Sequence, residues 1–173
     1  MRPVEGEAIV AYLNTLEPGE RAPKSLVVEL RTATPSEAML SESLDRARLK
    51  KRMPQATDAV LNDFIRVLAG RSALQIPRHL VHKNIRLQMS SEAEIARIFK
   101  ADDGQGWGNF YKAYPEAGGL VRLSRAGLDE KSTQALFFIS ISGGMTRGAG
   151  FFVLMHRRLG MWRILATEQA WIS

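Results

Sequence analysis

Residues 134–167, QALFFISISGGMTRGAGFFVLMHRRLGMWRILAT, decide the fold. Two apolar runs, QALFFISIS (134–142) and GFFVLMHRR (150–158), carry the β-branched and aromatic residues of strands and flank the glycine-rich turn GGMTRGA. GMWRIL (160–165) then opens a third strand. The pattern reads as an antiparallel β-meander with strands near 134–142, 149–157 and 161–167. Alternation along each strand puts Phe137, Ile139, Val153 and Met155 on one side, toward a common core.

Working backward, LVRLSRAGL (120–128) supplies a further strand near 119–126. Before it, GWGNFYKAYP places Trp107, Phe110, Tyr111 and Tyr114 at i, i+3, i+4 and i+7, one face of a helix over 107–114. Packing against the meander is the expected fate of that face, although aromatic rings so arranged could also stack on a ligand or on bases. Pro115 ends the helix, since the residue before a proline leaves the helical region.

The first half reads as mostly helical. Val4, Ala8, Ile9, Tyr12, Leu13 and Leu16 recur at helical spacing over 4–16, and SLVVELR (25–31) alternates as a strand. Thr34-Pro35-Ser36-Glu37 has the chemistry of a helix start, with Met39, Leu40, Leu44 and Ala47 as its buried stripe. Lys50, Lys51 and Arg52 fall in its last turn, where cations suit the helix dipole. A helix from Thr57 buries Val60, Leu61, Phe64, Ile65 and Leu68 and closes at Gly70. Asn84 to Met89 alternates as a strand, and Ser91-Glu92-Ala93-Glu94 opens a short helix through a capping box. With no internal repeat, low-complexity tract or long linker, residues 1–173 form a single α+β domain, helix-rich first and antiparallel sheet last.

Composition narrows the chemistry. The 173 residues include no cysteine, which removes disulfides, thiolate zinc sites and cysteine nucleophiles. Two closely spaced histidines, His79 and His82, do not make a zinc site, and no metal or cofactor is expected. The apolar runs are too short to span a bilayer, and MRPVEGEAIVAYL lacks the basic-then-apolar order of a signal peptide. A cytoplasmic protein is therefore expected, or a periplasmic or secreted one if a leader precedes this sequence. The net charge of +6 is uneven: −4 over residues 1–45, +8 over 46–100 and +2 beyond. Arg46, Arg48, Lys50, Lys51 and Arg52 could neutralise nucleic-acid phosphates, but without interleaved aromatics a solvated helix face is the simpler reading.

The strongest candidate for ligand binding is the turn Gly143, Gly144, Arg147 and Gly148, together with Arg125. Glycines permit positive φ, successive backbone N–H groups can then form an anion-binding nest, and the arginines add charge for a carboxylate or phosphate. The turn is no Walker loop, because it lacks the lysine-hydroxyl pair and a strand follows it. A hairpin turn whose glycines serve strand twist explains the same residues. Arg125 could equally pair with Asp129 or Glu130. No G-x-S-x-G elbow marks a serine nucleophile.

Taken in order, GWGNFYKAYP, LSRAGL, QALFFIS, GGMTRGAGFFVLM and GMWRIL resemble a family of uncharacterised bacterial proteins. Its pattern is a Trp–aromatic–Tyr-Pro segment, a Ser-Arg-x-Gly strand, a QAL strand, a double-glycine turn and a final Gly-x-Trp. Trp107, Phe110, Tyr114, Pro115, Ser124, Arg125, Gly127, Gln134, Ala135, Leu136, Gly143, Gly144, Gly150 and Trp162 carry the match. Some relatives place cysteines in the turn where this chain has Ser142 and Thr146. The resemblance implies the meander and a bacterial source, and it transfers no activity. The sequence thus points first to a non-catalytic binding or protein-interaction module, engaging a protein or a small anionic ligand. A hydrolase-type enzyme with its site near the 143–148 turn and the Ser124-Arg125 strand is the alternative, and nucleic-acid binding through residues 46–52 the weaker one.

Overall fold

The computed structural model describes residues 2–16, 25–33, 46–70, 72–81, 86–100 and 105–173. A helix, α1 (Pro3–Leu13), precedes strand β1 (Ser25–Glu29). Helices α2 (Arg46–Arg52) and α3 (Asp58–Leu68) and a 3-10 turn at Arg78–Leu80 lead to β2 (Arg86–Ser90). Helices α4 (Glu92–Phe99) and α5 (Gly106–Ala113) are followed only by strands: β3 (Ala117–Leu123), β4 (Gly127–Leu128), β5 (Gln134–Gly144), β6 (Arg147–Arg158) and β7 (Met161–Ile172). The fold is α+β, as the sequence indicates. The helix start expected at Thr34–Glu37, with Met39, Leu40 and Leu44, lies outside the described residues, as does His82.

One sheet runs in the order β2-β1-β3-β5-β6-β7, with β4 paired to β5. The β3, β5, β6 and β7 pairings are antiparallel, whereas β1 lies parallel to both β2 and β3. The meander is therefore extended on one side by parallel strands, each reached through a helical crossover, as parallel pairing requires.

Alternation on β5 explains why QALFFIS reads as a continuous apolar run: both of its faces are buried. Ala135, Phe137 and Ile139 join Val153, Met155, Val28 and Val121 beneath α1, with Ala8, Ile9, Tyr12 and Leu13. The four residues Phe137, Ile139, Val153 and Met155 thus share one core, as expected. Leu136 and Phe138 face the other way and meet Leu49, Met53, Val60, Leu61 and Phe64 of the α2–α3 side. On that same face, Phe110 of α5, Tyr114 just past its end and Ile95 and Ile98 of α4 cover Val27 and Leu120. Trp107 is half-buried against this third cluster. The aromatic helix is therefore a packing element, and its Tyr114 hydroxyl donates to Ser90 Oγ at 2.9 Å inside the protein.

Local chemistry sets the boundaries. The Thr57 hydroxyl accepts from Val60 N–H and the Ser91 hydroxyl from Glu94 N–H, satisfying helix-start donors that have no partner within the helix. Glu5, in the first turn of α1, accepts the Arg2 backbone N–H at 3.2 Å. The α3 helix closes at Ala69 in right-handed geometry, so Gly70 does not form the left-handed cap expected of it.

Candidate functional site

The β5–β6 turn is a tight hairpin in which Gly144 pairs with Arg147 and Met145-Thr146 forms the apex. Positive φ occurs, among the described residues, only at Gly119, Ser132, Leu159 and Gly160. Gly143, Gly144 and Gly148 therefore do not adopt the alternating conformation that turns backbone N–H groups into an anion nest. The smallness of Gly143 and Gly148 serves close packing instead. A side chain at Gly143 would fall 2.7 Å from the Arg147 guanidinium, and one at Gly148 would fall 3.1 Å from the Trp171 ring. Arg147 donates to the Tyr111 hydroxyl at 3.0 Å, and that hydroxyl donates to Gly143 carbonyl at 2.8 Å. The cation thus staples the turn to α5.

Arg125 is held elsewhere. Ser124 N–H bonds Phe138 carbonyl, and Gly143 lies five residues farther along β5, about 17 Å away at strand rise. Arg125 and Arg147 do not converge. Arg125 pairs instead with Glu5, Nη2 to Oε1 at 2.8 Å, rather than with Asp129 or Glu130. Glu5 is completely buried and also takes Arg2 Nε at 2.8 Å. Arg2 reaches on to Asp63 at 2.6 Å and to Ala126 carbonyl, and Asp63 accepts Leu128 N–H and pairs with Arg66. Burial opposes the charge on both carboxylates, but the hydrogen bonds from Arg125 and Arg2 outweigh it at Glu5. Those from Leu128 N–H, Arg2 and Arg66 outweigh it at Asp63, so both pKa values fall below the ordinary range. This network ties α1, α3 and the β3–β4 connection together, and no local sequence signal marks it. The Ser124 hydroxyl is also buried, donating to Arg125 carbonyl and accepting from Phe138 N–H.

The basic helix is largely answered within the chain. Arg46 and Lys50 pair with Asp58, and Arg52 pairs with Glu168 at 2.8 Å and bonds Gln169 carbonyl. Its cations therefore orient α2 against α3 and β7. A second cluster links Arg122 to Glu29 at 2.8 Å and Arg31 to Glu29 and Glu92, on the α4–α5 side of the sheet. No group of three or more His, Asp or Glu side chains able to hold a metal occurs among the described residues. A cavity of about 330 Å³ opens beside the start of α1, lined by Arg2, Pro3, Glu7, Ile76, His79 and Leu80 among others. Its cations and carboxylates are engaged: Arg2 by Glu5 and Asp63, and Glu7 by Arg157 at 3.5 Å.

The most unusual surface lies where the sequence reading stopped. β7 runs to Ile172, five residues beyond the strand end expected at 167, and is the outer strand of the sheet. Along it Met161 (53%), Ile164 (39%), Leu165 (38%) and Ile172 (70%) are exposed, and Leu159 in the preceding turn is 91% exposed. Irregular pairing between Gly150 and Phe151 and between Leu154 and Met155 marks two bulges in β7, at Ala170 and Leu165. Such bulges commonly protect an open strand edge. The GMWRIL motif contained this signal, because Met161, Trp162, Ile164 and Leu165 leave too few polar residues for an outer strand's solvent face.

The chain matches no family model, no curated protein and no solved structure. Among the described residues, no helix is long and apolar enough to cross a membrane.

Proposed function

We propose that the protein is a non-catalytic binding module whose working surface is the outer strand β7 and the β6–β7 end of the sheet. The observation that supports this is the exposure of Met161, Ile164, Leu165 and Ile172 along an outer strand of twelve residues. Ile164 stands opposite Met155 and Met161 opposite Arg158, so these side chains flank the open edge on both faces of the sheet, and apolar groups left in water along an outer strand suit contact with another molecule. The polar groups weighed earlier as a hydrolase-type site support it indirectly, since Ser124, Arg125 and Arg147 are each engaged in holding the fold. A photo-crosslinking residue at Leu165 or Ile172, compared with one at exposed Lys112 on α5, tests the reading in cells that make the protein. Adducts formed from β7 and not from Lys112, whether with protein or with lipid, are the expected result. Equal yields from both places, or none from β7, would refute it.

A further inference from the structure

The β6–β7 turn combines strain with exposure. Its two central residues, Leu159 and Gly160, both have positive φ, 51° and 79°. That is the two-residue hairpin turn in which Asn-Gly, Asp-Gly or Gly-Gly is favoured, because both positions must be left-handed. Leucine is poorly suited there, as its Cβ crowds the neighbouring carbonyl. Nothing in the fold compensates, since the side chain is 91% exposed. Asparagine would relax the backbone and hydrate better. A residue that is both strained and unburied points to something it meets outside the protein.

The surroundings indicate what that is. The last β5 pair is Gln134 with His156 and Arg157 N–H still bonds Thr133 carbonyl, so the ribbon carries Arg158 and Met161 beyond the sheet on that side. Arg158 stands opposite Met161 and His156 opposite Arg163, on the face that α3 covers farther along the sheet. Arg158 and Arg163 have no carboxylate partner among the described residues, whereas Arg157 is paired with Glu7 and lies over the Trp162 ring. The nearest acidic turn, 129–133, uses Asp129 to cap Thr133 and Gln134, leaving Glu130 exposed. The tip therefore presents an apical leucine, a neighbouring methionine and Arg158, with Arg163 two pairs farther back on the same face.

We propose that this tip docks on an anionic lipid surface, with Leu159 and Met161 entering the acyl boundary and Arg158 and Arg163 meeting headgroup phosphates. The inference rests on the binding-module reading and names its partner. A narrow convex tip favours lipid over protein: a stable protein interface buries about 800 Å² on each side, whereas a bilayer accepts a small apolar wedge without a matching cleft. The cations match the sign of anionic lipid.

Vesicle flotation with phosphatidylcholine, with and without about a third of phosphatidylglycerol, tests it. Binding to the anionic vesicles alone, weakened by salt, is the expected result. The net charge of +6 could attract any anionic surface, so the deciding variant is Leu159→Asn, which leaves charge unchanged and suits the turn. It should bind about tenfold or more weakly, and Arg158→Gln or Arg163→Gln about fivefold more weakly each. Because the chain has no cysteine, Leu159→Cys carrying an environment-sensitive dye reports insertion directly as a blue shift. Undiminished binding of Leu159→Asn, or no shift of the dye, would overturn the inference. Protein adducts from β7 with no vesicle binding would overturn it while leaving the binding-module reading intact, and the absence of both would overturn the two together.

Discussion

Replacing Glu5 with glutamine tests the buried ion network in a way that separates charge from shape. The carboxylate is fully buried and accepts from the Arg2 backbone, Arg2 Nε and both Nε and Nη2 of Arg125. Glutamine keeps the volume but halves the acceptors, takes the counter-charge from Arg125 and leaves Arg2 with Asp63 alone. Removing one partner of a buried pair costs about 3–5 kcal/mol. Arg2 and Arg125 keep 42% and 23% of their side-chain surface and can recover some hydration, which argues for the low end. We expect a loss of about 3 kcal/mol at pH 7, or about 6–12 °C in Tm for a domain of this size. Urea unfolding followed by tryptophan fluorescence at several pH values is the assay. Glu5 has its folded pKa lowered from an ordinary value near 4.5, so its contribution is complete above that value and is lost as pH falls through the folded pKa. The gap between the two proteins should therefore shrink below pH 4.5, although Asp63, whose pKa is also lowered, will destabilise both. A gap under about 1 kcal/mol at pH 7, or one that persists unchanged in strong acid, would refute the argument.

Two core predictions rest on steric facts. Phe137 is fully buried and meets Tyr12 edge-on at 5.7 Å, so Phe137→Ala should cost about 3–5 kcal/mol in denaturant unfolding, and a loss below 1 would contradict its core role. Gly127→Ala would set a methyl 2.3 Å from the Phe64 backbone nitrogen of α3, which cannot yield as a side chain tip could. It should cost about 2–3 kcal/mol, and an unchanged Tm would show that α3 rides more loosely on β4 than the structure indicates.

Much of the architecture is local enough to be written in short stretches of sequence. The doubly buried β5 follows from the unbroken apolar run Ala135–Ile139, and the aromatic face of α5 from spacing over one pair of turns. The caps at Thr57 and Ser91 follow from residues three apart. The candidate ligand site was less legible, because glycine in a turn signals either positive φ or close packing, and only the backbone angles decide. At Gly143 and Gly148 packing against Arg147 and Trp171 prevailed.

What the tertiary structure alone decided depends on separations that leave no local trace. Arg125 and Glu5 lie 120 residues apart, and nothing near either one marks its partner. The Ser-Arg-x-Gly strand reads the same whether its arginine lines a groove or neutralises a buried carboxylate. The parallel placement of β1 between β2 and β3 likewise depends on crossovers through helices rather than on the composition of SLVVE. The outer position of β7 is a property of the finished sheet, since MWRILATEQAWI would be an ordinary central strand with another neighbour beyond it. Sequence by itself determined which residues are apolar and with what period. The fold determined which of them were left outside: Leu159 became significant only once the hairpin held it left-handed and in water.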